Sequence, residues 1–370
     1  MHILFTIRSL SCGGAERVTV NLSNKWIEKG YQVTILTLAS KEDDFYELDS
    51  KINRIDLNLG SYSTNPYQAI IANIKRIISI RNALKKLNPD IVIGMMPVSA
   101  VLTIMASIGL HKRVIACERN YPPVSKLTRL WSQLRKITYP KATVVTAQTN
   151  EIAKWIISNI KIKKIEVIPN PIIYPLPRSE PTLHPVSVIP TDKKLLLSVG
   201  RLEHIKGFDL LISAFSNLEE QFPNWNLVII GEGKERNILE DLIKEKKLQN
   251  RVLLPGRAGN IADWYNRADL FVMSSRSEGF PNVLAEAMSM GCPVVSYDCP
   301  TGPSELIIDR INGLLVNPVG DVYELESNIR ILIENEEMRR LLSARAEEIR
   351  FRYSIDVVSN LWEKVFEDII

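Results

Sequence analysis

What most constrains this chain is an alternation that runs twice. Strand-sized apolar runs are followed by helix-length amphipathic stretches; the rhythm breaks once, at a proline-rich segment, and then restarts. HILFTIRSL reads as a strand ending in the turn Cys12-Gly13-Gly14. A helix follows over 15–29, with Val18, Leu22 and Trp26 on one face, and Gly30 stops it. Strands are expected at 32–38, 90–94, 113–117, 143–147 and 165–168, and a helix at 67–87. Such alternation favours a parallel sheet covered by helices on both faces.

Residues 169–190 hold 7 of the 20 prolines. Proline donates no ladder hydrogen bond and restricts the residue before it, so this stretch reads as an extended linker. The rhythm then resumes, with strands at 194–199, 225–230, 252–254, 270–274 and 294–297 and helices at 207–221, 235–246 and 281–290. From Asp321 onward the chain reads as helical. At roughly 150 residues per domain, 370 residues suit two domains. The expected fold class is α/β, with two doubly wound, Rossmann-like domains facing across a cleft. The domains are expected at 1–168 and 194–354, joined by a linker 169–193. A last helix, 355–370, carries Val358, Leu361, Trp362, Val365, Phe366 and Ile369 on an apolar stripe and is expected to pack back on the first domain. Ligands of such sheets bind outside the carboxyl ends of the strands.

Composition removes several classes. Hydrophobic residues at 45% and charged residues at 24% exclude a disordered chain. No uncharged apolar run reaches 18 residues, and no basic segment precedes a long apolar core at the N-terminus. Neither a membrane-spanning helix nor a signal peptide is expected, which suggests the cytoplasm. Cys12, Cys117, Cys292 and Cys299 form no C-x-x-C pair and read as buried thiols rather than zinc ligands. The net charge of +4 conceals an asymmetry. Residues 1–175 carry 24 Lys and Arg against 12 Asp and Glu, and 75–164 carry 17 against 3. A basic half suggests an anionic partner: nucleic acid, an anionic membrane surface or a phosphate-rich substrate. A solvated basic surface is the alternative.

The most specific local signal is SSRSEGFPNVLAEAMSMG, residues 274–291. A strand ends, Glu278-Gly279-Phe280 makes a turn, and Pro281 opens a helix where its missing N–H does no harm. A helix N-terminus suits a phosphate or an electron-rich sugar oxygen. Glu278 at the turn and Glu286 within the helix can accept hydrogen bonds from sugar and ribose hydroxyls, though the pair alone could equally be two unrelated surface acids.

With these residues in their order along the chain, the sequence resembles the retaining glycosyltransferases of family 4, which have the GT-B fold. The E-x7-E pattern is met by Glu278 and Glu286. Gly13-Gly14-Ala15-Glu16-Arg17, Val199-Gly200-Arg201-Leu202 with Lys206-Gly207, Gly231-Glu232-Gly233, Pro255-Gly256-Arg257 and Gly302-Pro303-Ser304-Glu305 extend the resemblance over nearly the whole chain. The bacterial members that extend lipid-linked oligosaccharides or surface polysaccharides are especially similar. The resemblance implies that Arg201 and Lys206 grip the nucleotide diphosphate and stabilise the charge it gains on leaving. Glu286 would hold the ribose hydroxyls and Glu278 the donor sugar's 3- and 4-hydroxyls. Backbone N–H groups of Gly279, Phe280, Pro281, Asn282 and Val283 would contact sugar and phosphates. Gly231 and Arg257 would lie along the nucleotide, and Gly14 would admit the donor phosphate or the acceptor, with Gly13 and Glu16 on the acceptor side.

The chain holds no Asp-x-Asp triplet, so a metal-independent reaction without a cofactor is expected. The resemblance also implies same-face attack, the leaving phosphate oxygen taking the acceptor's proton. One departure stands out. Where many members carry Glu-His after a strand, this chain reads Glu118-Arg119, and an arginine there can donate to a sugar hydroxyl or phosphate but cannot act as a base.

Residues 67–87 form a basic amphipathic helix. Ile70, Ile74, Ile77, Ile80, Leu84 and Leu87 share a broad face, and Lys75, Arg76 and Lys86 lie opposite. Such a helix can lie in a headgroup layer, or it can be an ordinary sheet-covering helix with a wet basic face. The expected donor is a nucleotide sugar, UDP-linked first and GDP-linked second. The expected acceptor is a polyprenyl-diphosphate-linked saccharide at an anionic membrane surface, reached by peripheral association with its inner face. The competing readings are a sugar-nucleotide epimerase of the same fold and a basic nucleic-acid-binding protein. The aromatic residues are not interleaved with the basic clusters as stacking platforms, so no nucleic acid is expected.

Overall fold

The computed structural model describes residues 1–61 and 65–370. The chain divides into two compact units, Met1–Pro171 with Ile355–Ile370, and Ile172–Ser354. In chain order the first unit holds β1 (His2–Ile7), α1 (Gly14–Glu28), β2 (Gln32–Thr37), β3 (Asn53–Asp56), α2 (Pro66–Leu87), β4 (Ile91–Met95), α3 (Pro97–Ser107), β5 (Arg113–Glu118), α4 (Arg129–Thr138), β6 (Val144–Ala147), α5 (Asn150–Asn159) and β7 (Ile165–Val167). The second holds β8 (Lys194–Val199), α6 (Phe208–Ser216), β9 (Trp225–Ile230), α7 (Arg236–Glu245), β10 (Val252–Gly256), α8 (Ile261–Arg267), β11 (Leu270–Met273), α9 (Asn282–Ser289), β12 (Val294–Tyr297), α10 (Pro303–Leu306), β13 (Leu314–Val316), α11 (Val322–Glu334), α12 (Glu336–Ala346) and α13 (Ile349–Arg352). Helix α14 (Ile355–Glu367) then belongs to the first unit.

Both sheets are parallel throughout. Their orders are β3-β2-β1-β4-β5-β6-β7 and β10-β9-β8-β11-β12-β13. The α/β class and the paired Rossmann-like sheets agree with the reading of the sequence. The central strands are apolar at nearly every position because both faces are covered. Ile3, Phe5 and Ile7 join one core and Leu4 the other; likewise Leu195 and Leu197 face one layer and Leu196 the opposite one. In each sheet the order changes direction once, between β1 and β4 and between β8 and β11. Loops leaving those neighbouring strands diverge to opposite faces, and a crevice opens at their carboxyl ends.

Helix α14 closes the first unit. Val358, Trp362, Val365 and Phe366 are buried beside Phe5 and Trp26. Trp26 stacks on Phe5 at 5.5 Å and meets Trp362 and Phe366 edge-on at 6.1 and 5.1 Å. Its indole N–H donates to Ser359 Oγ at 3.1 Å. Lys29 pairs with Glu363 at 2.8 Å, and Arg113 donates to the Ile369 and Ile370 carbonyls.

Three expectations change. The proline-rich stretch is not a free linker: from Ile172 onward it is built into the second unit. Ile172, Leu176 and Ile189 are core residues there. The Ile172 N–H donates to the Tyr353 carbonyl (2.7 Å), Ser179 and Pro181 pair with Gly259, and the Leu183 carbonyl accepts from the Trp264 indole (2.8 Å). Proline removes donors from the segment but leaves its carbonyls and the remaining N–H groups able to pair with loops. Helix α6 stops at Ser216 rather than running to 221, where the Ser213 and Ser216 hydroxyls turn back onto carbonyls and the chain continues as turns that bury Leu218. Cys12 is exposed, whereas Cys117, Cys292 and Cys299 are buried.

At the end of β5 a polar cluster lies inside the first unit. The Glu118 carboxylate accepts from Arg135 (3.1 Å) and from the Tyr139 hydroxyl (3.2 Å), and the Arg135 guanidinium lies 4.9 Å over the Trp155 ring. Burial pushes the Glu118 carboxyl up to about 7, against the pull of Arg135.

Two outcomes are expected. Trp362→Ala should destabilise the protein by about 3–5 kcal/mol, because it opens a cavity against Trp26 and Phe366. Leu361→Ala on the outer side of the same helix should cost far less, and equal shifts in urea midpoint for the two would show that α14 is not part of this core. For Glu118 the folded state holds its proton more tightly than the unfolded chain. Its stabilising contribution is therefore full below about pH 4.5 and is lost as pH rises through about 7. Glu118→Gln should flatten the fall of stability between pH 5.5 and 8, and an unchanged slope would mean that Glu118 stays ionised throughout.

Candidate functional site

Two loops of the second unit meet at the carboxyl ends of the adjacent strands β8 and β11. The first carries Arg201 and a tight turn at 204–206; Gly207 then precedes α6 at φ +64. A Cβ on Gly207 would come 2.1 Å from the Ser274 carbonyl oxygen, so only glycine lets the loops approach this closely. They are stitched by Ser274 Oγ donating to the Lys206 carbonyl (3.0 Å) and the Arg276 N–H donating to the Ile205 carbonyl (2.8 Å). The Arg276 guanidinium forks onto both carboxylate oxygens of Asp209 at 2.8 and 2.6 Å.

This stitching brings Lys206 and Glu278 together across 72 positions. Lys206 Nζ lies 2.6 Å from Glu278 Oε1, which also accepts from Ser275 Oγ at 2.6 Å. Both charged side chains are largely withdrawn from solvent. Thr301 Oγ1 donates to the Glu278 carbonyl and fixes the backbone beneath it. Arg201 is in the same loop but reaches outward: its side chain is 72% exposed and pairs with Glu203 at 3.2 Å. Gly231 ends β9 at φ +148, and a Cβ there would sit 1.9 Å from the Gly200 carbonyl oxygen, so its plain structural duty is close backbone approach. Arg257 is exposed after β10; Arg236, and less strongly Arg257, hold the Glu232 carboxyl below its ordinary value.

Helix α9 starts at Asn282 with no side-chain cap. Of the five residues expected to offer N–H groups, Pro281 has none, and that of Asn282 points to the Phe280 carbonyl at 3.0 Å. This narrows the expected donors to Gly279, Phe280 and Val283. The Phe280 ring is core, edge-on to Tyr353 at 5.9 Å. Glu286 is buried one turn into α9. Its Oε2 lies 3.3 Å from the hydroxyl of Tyr265 on α8, and that hydroxyl also reaches the Val283 carbonyl at 3.2 Å.

In the first unit, Gly13 precedes α1 and Gly14 is its first residue. The Tyr46 hydroxyl accepts from the Gly13 N–H (3.3 Å) and donates to the Gly13 carbonyl (3.0 Å), and burial pushes its pKa up to about 12. The Glu16 carboxylate folds back over Gly13, within 2.2 Å of where a Cβ would stand. Arg119 is not presented on a surface. It is buried, donates to Asn170 Oδ1 at 2.9 Å and lies 5.7 Å over the Trp362 ring, and Asn170 also accepts from Gln148 at 2.8 Å. A buried guanidinium needs acceptors, and this one finds the Asn170 amide and the Trp362 ring within its own unit while its Nε is left without a hydrogen-bond partner.

Helix α2 also departs from the expected face. Ile77, Ile80, Leu84 and Leu87 pack on the core, whereas Tyr67, Ile70, Ile71, Ile74 and Ile78 are exposed. Its 22 residues span about 33 Å, against about 17 Å for the five residues of β4, so its first turns overhang the sheet. Lys75 and Lys86 are exposed. Arg76 instead holds the Leu59 and Ser61 carbonyls and Asn73 Oδ1 at 2.8–2.9 Å. Among the described residues, no helix is long and apolar enough to cross a membrane, and no group of three or more His, Cys, Asp or Glu is arranged to hold a metal ion.

The structure brings Lys206 and Glu278 together and sets Ser275 and Thr301, which the sequence did not single out, beside Glu278, as it sets Tyr265 beside Glu286. Ser275 was readable, three residues before Glu278 in the quoted motif. Tyr265 carries no local signal, because only the packing of α8 against α9 brings it to Glu286.

Comparison with known proteins identifies the family and the fold. Residues 179–349 match the family described as glycosyl transferases group 1, and residues 12–173 match Glycosyltransferase Family 4. A glycosyltransferase of Methanocaldococcus jannaschii is 31% identical over 85% of this chain and 86% of its own. A Campylobacter jejuni protein is 27% identical over 100% of this chain and 99% of its own; it is the GalNAc-alpha-(1->4)-GalNAc-alpha-(1->3)-diNAcBac-PP-undecaprenol alpha-1,4-N-acetyl-D-galactosaminyltransferase. The crystal structure of Anabaena HepE in complex with UDP superposes with a TM-score of 0.80 at 18% identity, covering 100% of both chains. With parallel sheets, loops and sequence all in agreement, the chain belongs to glycosyltransferase family 4 and has the GT-B fold.

Proposed function

We propose that this glycosyltransferase moves a hexose or N-acetylhexosamine, with retention, from a UDP-sugar to a polyprenyl-diphosphate-linked saccharide in oligosaccharide, O-antigen, capsule or exopolysaccharide synthesis. The observation that carries the reading is the Lys206–Glu278–Ser275 cluster at the ends of β8 and β11. The polyprenyl-linked acceptor named for the Campylobacter relative and the UDP bound by HepE support the substrate classes.

The chemistry follows from charge. As the C1–O bond to the diphosphate breaks, its electron pair goes to the phosphate oxygen, and negative charge grows there. Lys206, with Arg201 in the same loop, is the cation available to meet it. The diphosphate takes over the Lys206 ammonium, and Glu278 turns to accept from donor-sugar hydroxyls. The acceptor oxygen attacks C1 from the face the diphosphate leaves, and its proton passes to the departing phosphate oxygen. Lys206, held in the cluster, and Arg201, free to swing in from its exposed position, supply the compensation a metal would otherwise give, so the reaction is metal-independent. Glu286 holds the ribose hydroxyls.

Lys206→Ala should lower kcat/KM by about 100- to 1,000-fold, and EDTA should leave wild-type transfer unchanged. Wild-type protein should be stabilised by UDP more than by GDP or NAD; at 100 times its dissociation constant a ligand adds about 2.7 kcal/mol. Transfer that survives Lys206→Ala or fails in EDTA would overturn the diphosphate assignment, and stabilisation by GDP alone would move the donor to GDP-sugars.

The acceptor reading rests on α2, whose exposed Tyr67, Ile70, Ile71, Ile74 and Ile78 stand beside exposed Lys75 and Lys86. Apolar side chains enter the headgroup layer, and each lysine near an anionic surface contributes about 1 kcal/mol. This supports peripheral association at the inner face of the cell membrane. Lys75→Glu with Lys86→Glu should weaken co-sedimentation with vesicles containing anionic lipid while donor hydrolysis continues. Unchanged sedimentation would remove α2 from the membrane contact.

A further inference from the structure

Tyr265 was not among the residues expected at the site, yet the fold delivers its hydroxyl to the one buried carboxylate of the donor half. Its ring is fixed in the core of the second unit, 1% exposed and edge-on to Phe271 at 5.8 Å. Its backbone is pinned from the other side, where Cys292 Sγ donates to the Tyr265 carbonyl at 3.0 Å. Burial pushes the Cys292 thiol above its ordinary value, which keeps the proton that makes this bond. A ring held at both ends has little freedom, so its hydroxyl marks a fixed point in space.

That point lies against α9 across one turn. The hydroxyl is 3.2 Å from the Val283 carbonyl and 3.3 Å from Glu286 Oε2, and residues three apart on a helix stand one above the other. The Val283 carbonyl can accept a second hydrogen bond besides its helical one, and the carboxylate has lone pairs beyond the one the hydroxyl meets. A single phenolic proton shared between the two fixes the Glu286 side chain relative to the helix backbone. Carboxylates flex about their side-chain torsions, and a bidentate grip on two vicinal hydroxyls needs both oxygens in one set orientation.

We infer that Tyr265 is a positioning residue that orients the Glu286 carboxylate for the donor's ribose and so sets discrimination between ribonucleotides and deoxyribonucleotides. The inference rests on the reading of Glu286 as the ribose holder. Tyr265 itself touches no substrate. Its contribution is therefore expected in the difference between two ligands, where a merely structural residue would weaken both alike.

The test is calorimetric titration of the full chain with UDP and with 2′-deoxy-UDP. Wild-type protein should prefer UDP. Tyr265→Phe should weaken UDP about tenfold and leave 2′-deoxy-UDP within about twofold, so that the preference collapses. Tyr265→4-fluorophenylalanine fills the space of the hydroxyl without a proton to donate and should behave the same way. It decides the matter if the phenylalanine variant does not fold. Tyr265→4-aminophenylalanine restores a donor and should restore much of the preference. Glu286→Gln separates the two layers of the argument. If Glu286→Gln leaves the preference intact, the ribose reading of Glu286 has failed. If Glu286→Gln abolishes it while the fluorinated variant keeps it, Tyr265 does not orient the carboxylate and the inference is overturned. Equal weakening of both nucleotides in the fluorinated variant also overturns it, because that is the mark of a packing role alone.

Discussion

Parallel pairing of every strand is the constraint from which the rest of the structure follows. A parallel neighbour cannot be reached by a tight hairpin, so each connection must return along the outside of the sheet, and a helix is the natural return. The strands are thereby covered on both faces and must be apolar on both, which is why β1, β4, β8 and β9 are nearly continuous runs of buried residues. Every strand also delivers the chain to the same edge of its sheet. Loops rich in glycine and charge gather at that edge and diverge where the strand order changes direction. Lys206 and Glu278 leave from β8 and β11, the two strands that flank that point in the second unit.

Electrostatics at that edge has a common form. Three of its cations are already partnered by a carboxylate: Lys206 by Glu278, Arg201 by Glu203 and Arg276 by Asp209. The partnerships differ in what they commit. Arg276 and Asp209 form a two-pronged bond that ties the loops, and losing it would loosen both. The exposed Arg201–Glu203 pair is worth little and exchanges readily. Lys206 and Glu278 lie between these extremes. They are largely withdrawn from water, so an incoming dianion replaces one carboxylate by another negative group without stripping a hydrated ammonium. Preorganisation of this kind would keep the cost of reorganisation low in the proposed reaction.

Much of this was legible in the sequence where a property is local. The both-face-buried strands announce themselves as short apolar runs, and Glu278 and Glu286 lie within one quoted motif. What escaped is tertiary. Helix α3, PVSAVLTIMAS, is apolar on all sides because α2 and α4 flank it, so it has no helical periodicity to detect. Strand β3, NRID, is an edge strand with polar side chains and reads as loop. The proline-rich stretch was misread because proline count reports missing donors, not whether the remaining groups find partners. The burial of Arg119 escaped for a related reason. Its position after β5 suggests the rim of the sheet, but only the fold shows Asn170 and Trp362 converging on it from 51 and 243 residues away.

The placement of α14 joins these threads. The first unit is split in sequence, and its last piece packs Trp362 and Phe366 edge-on against Trp26 in the same core as Phe5. Arg119 lies against the same Trp362 ring and against Asn170, one residue before the chain leaves for the second unit at Pro171. Within the first unit Arg119 thus ties the end of β5 to the Asn170 amide and to the Trp362 indole of α14. Lysine could not do this, because its ammonium has no plane to lay on the ring while a second donor reaches the amide. A histidine at this position could still exchange protons near neutral pH, whereas an arginine remains a fixed charge, and a fixed charge is what a permanent clasp between two strands of chain requires.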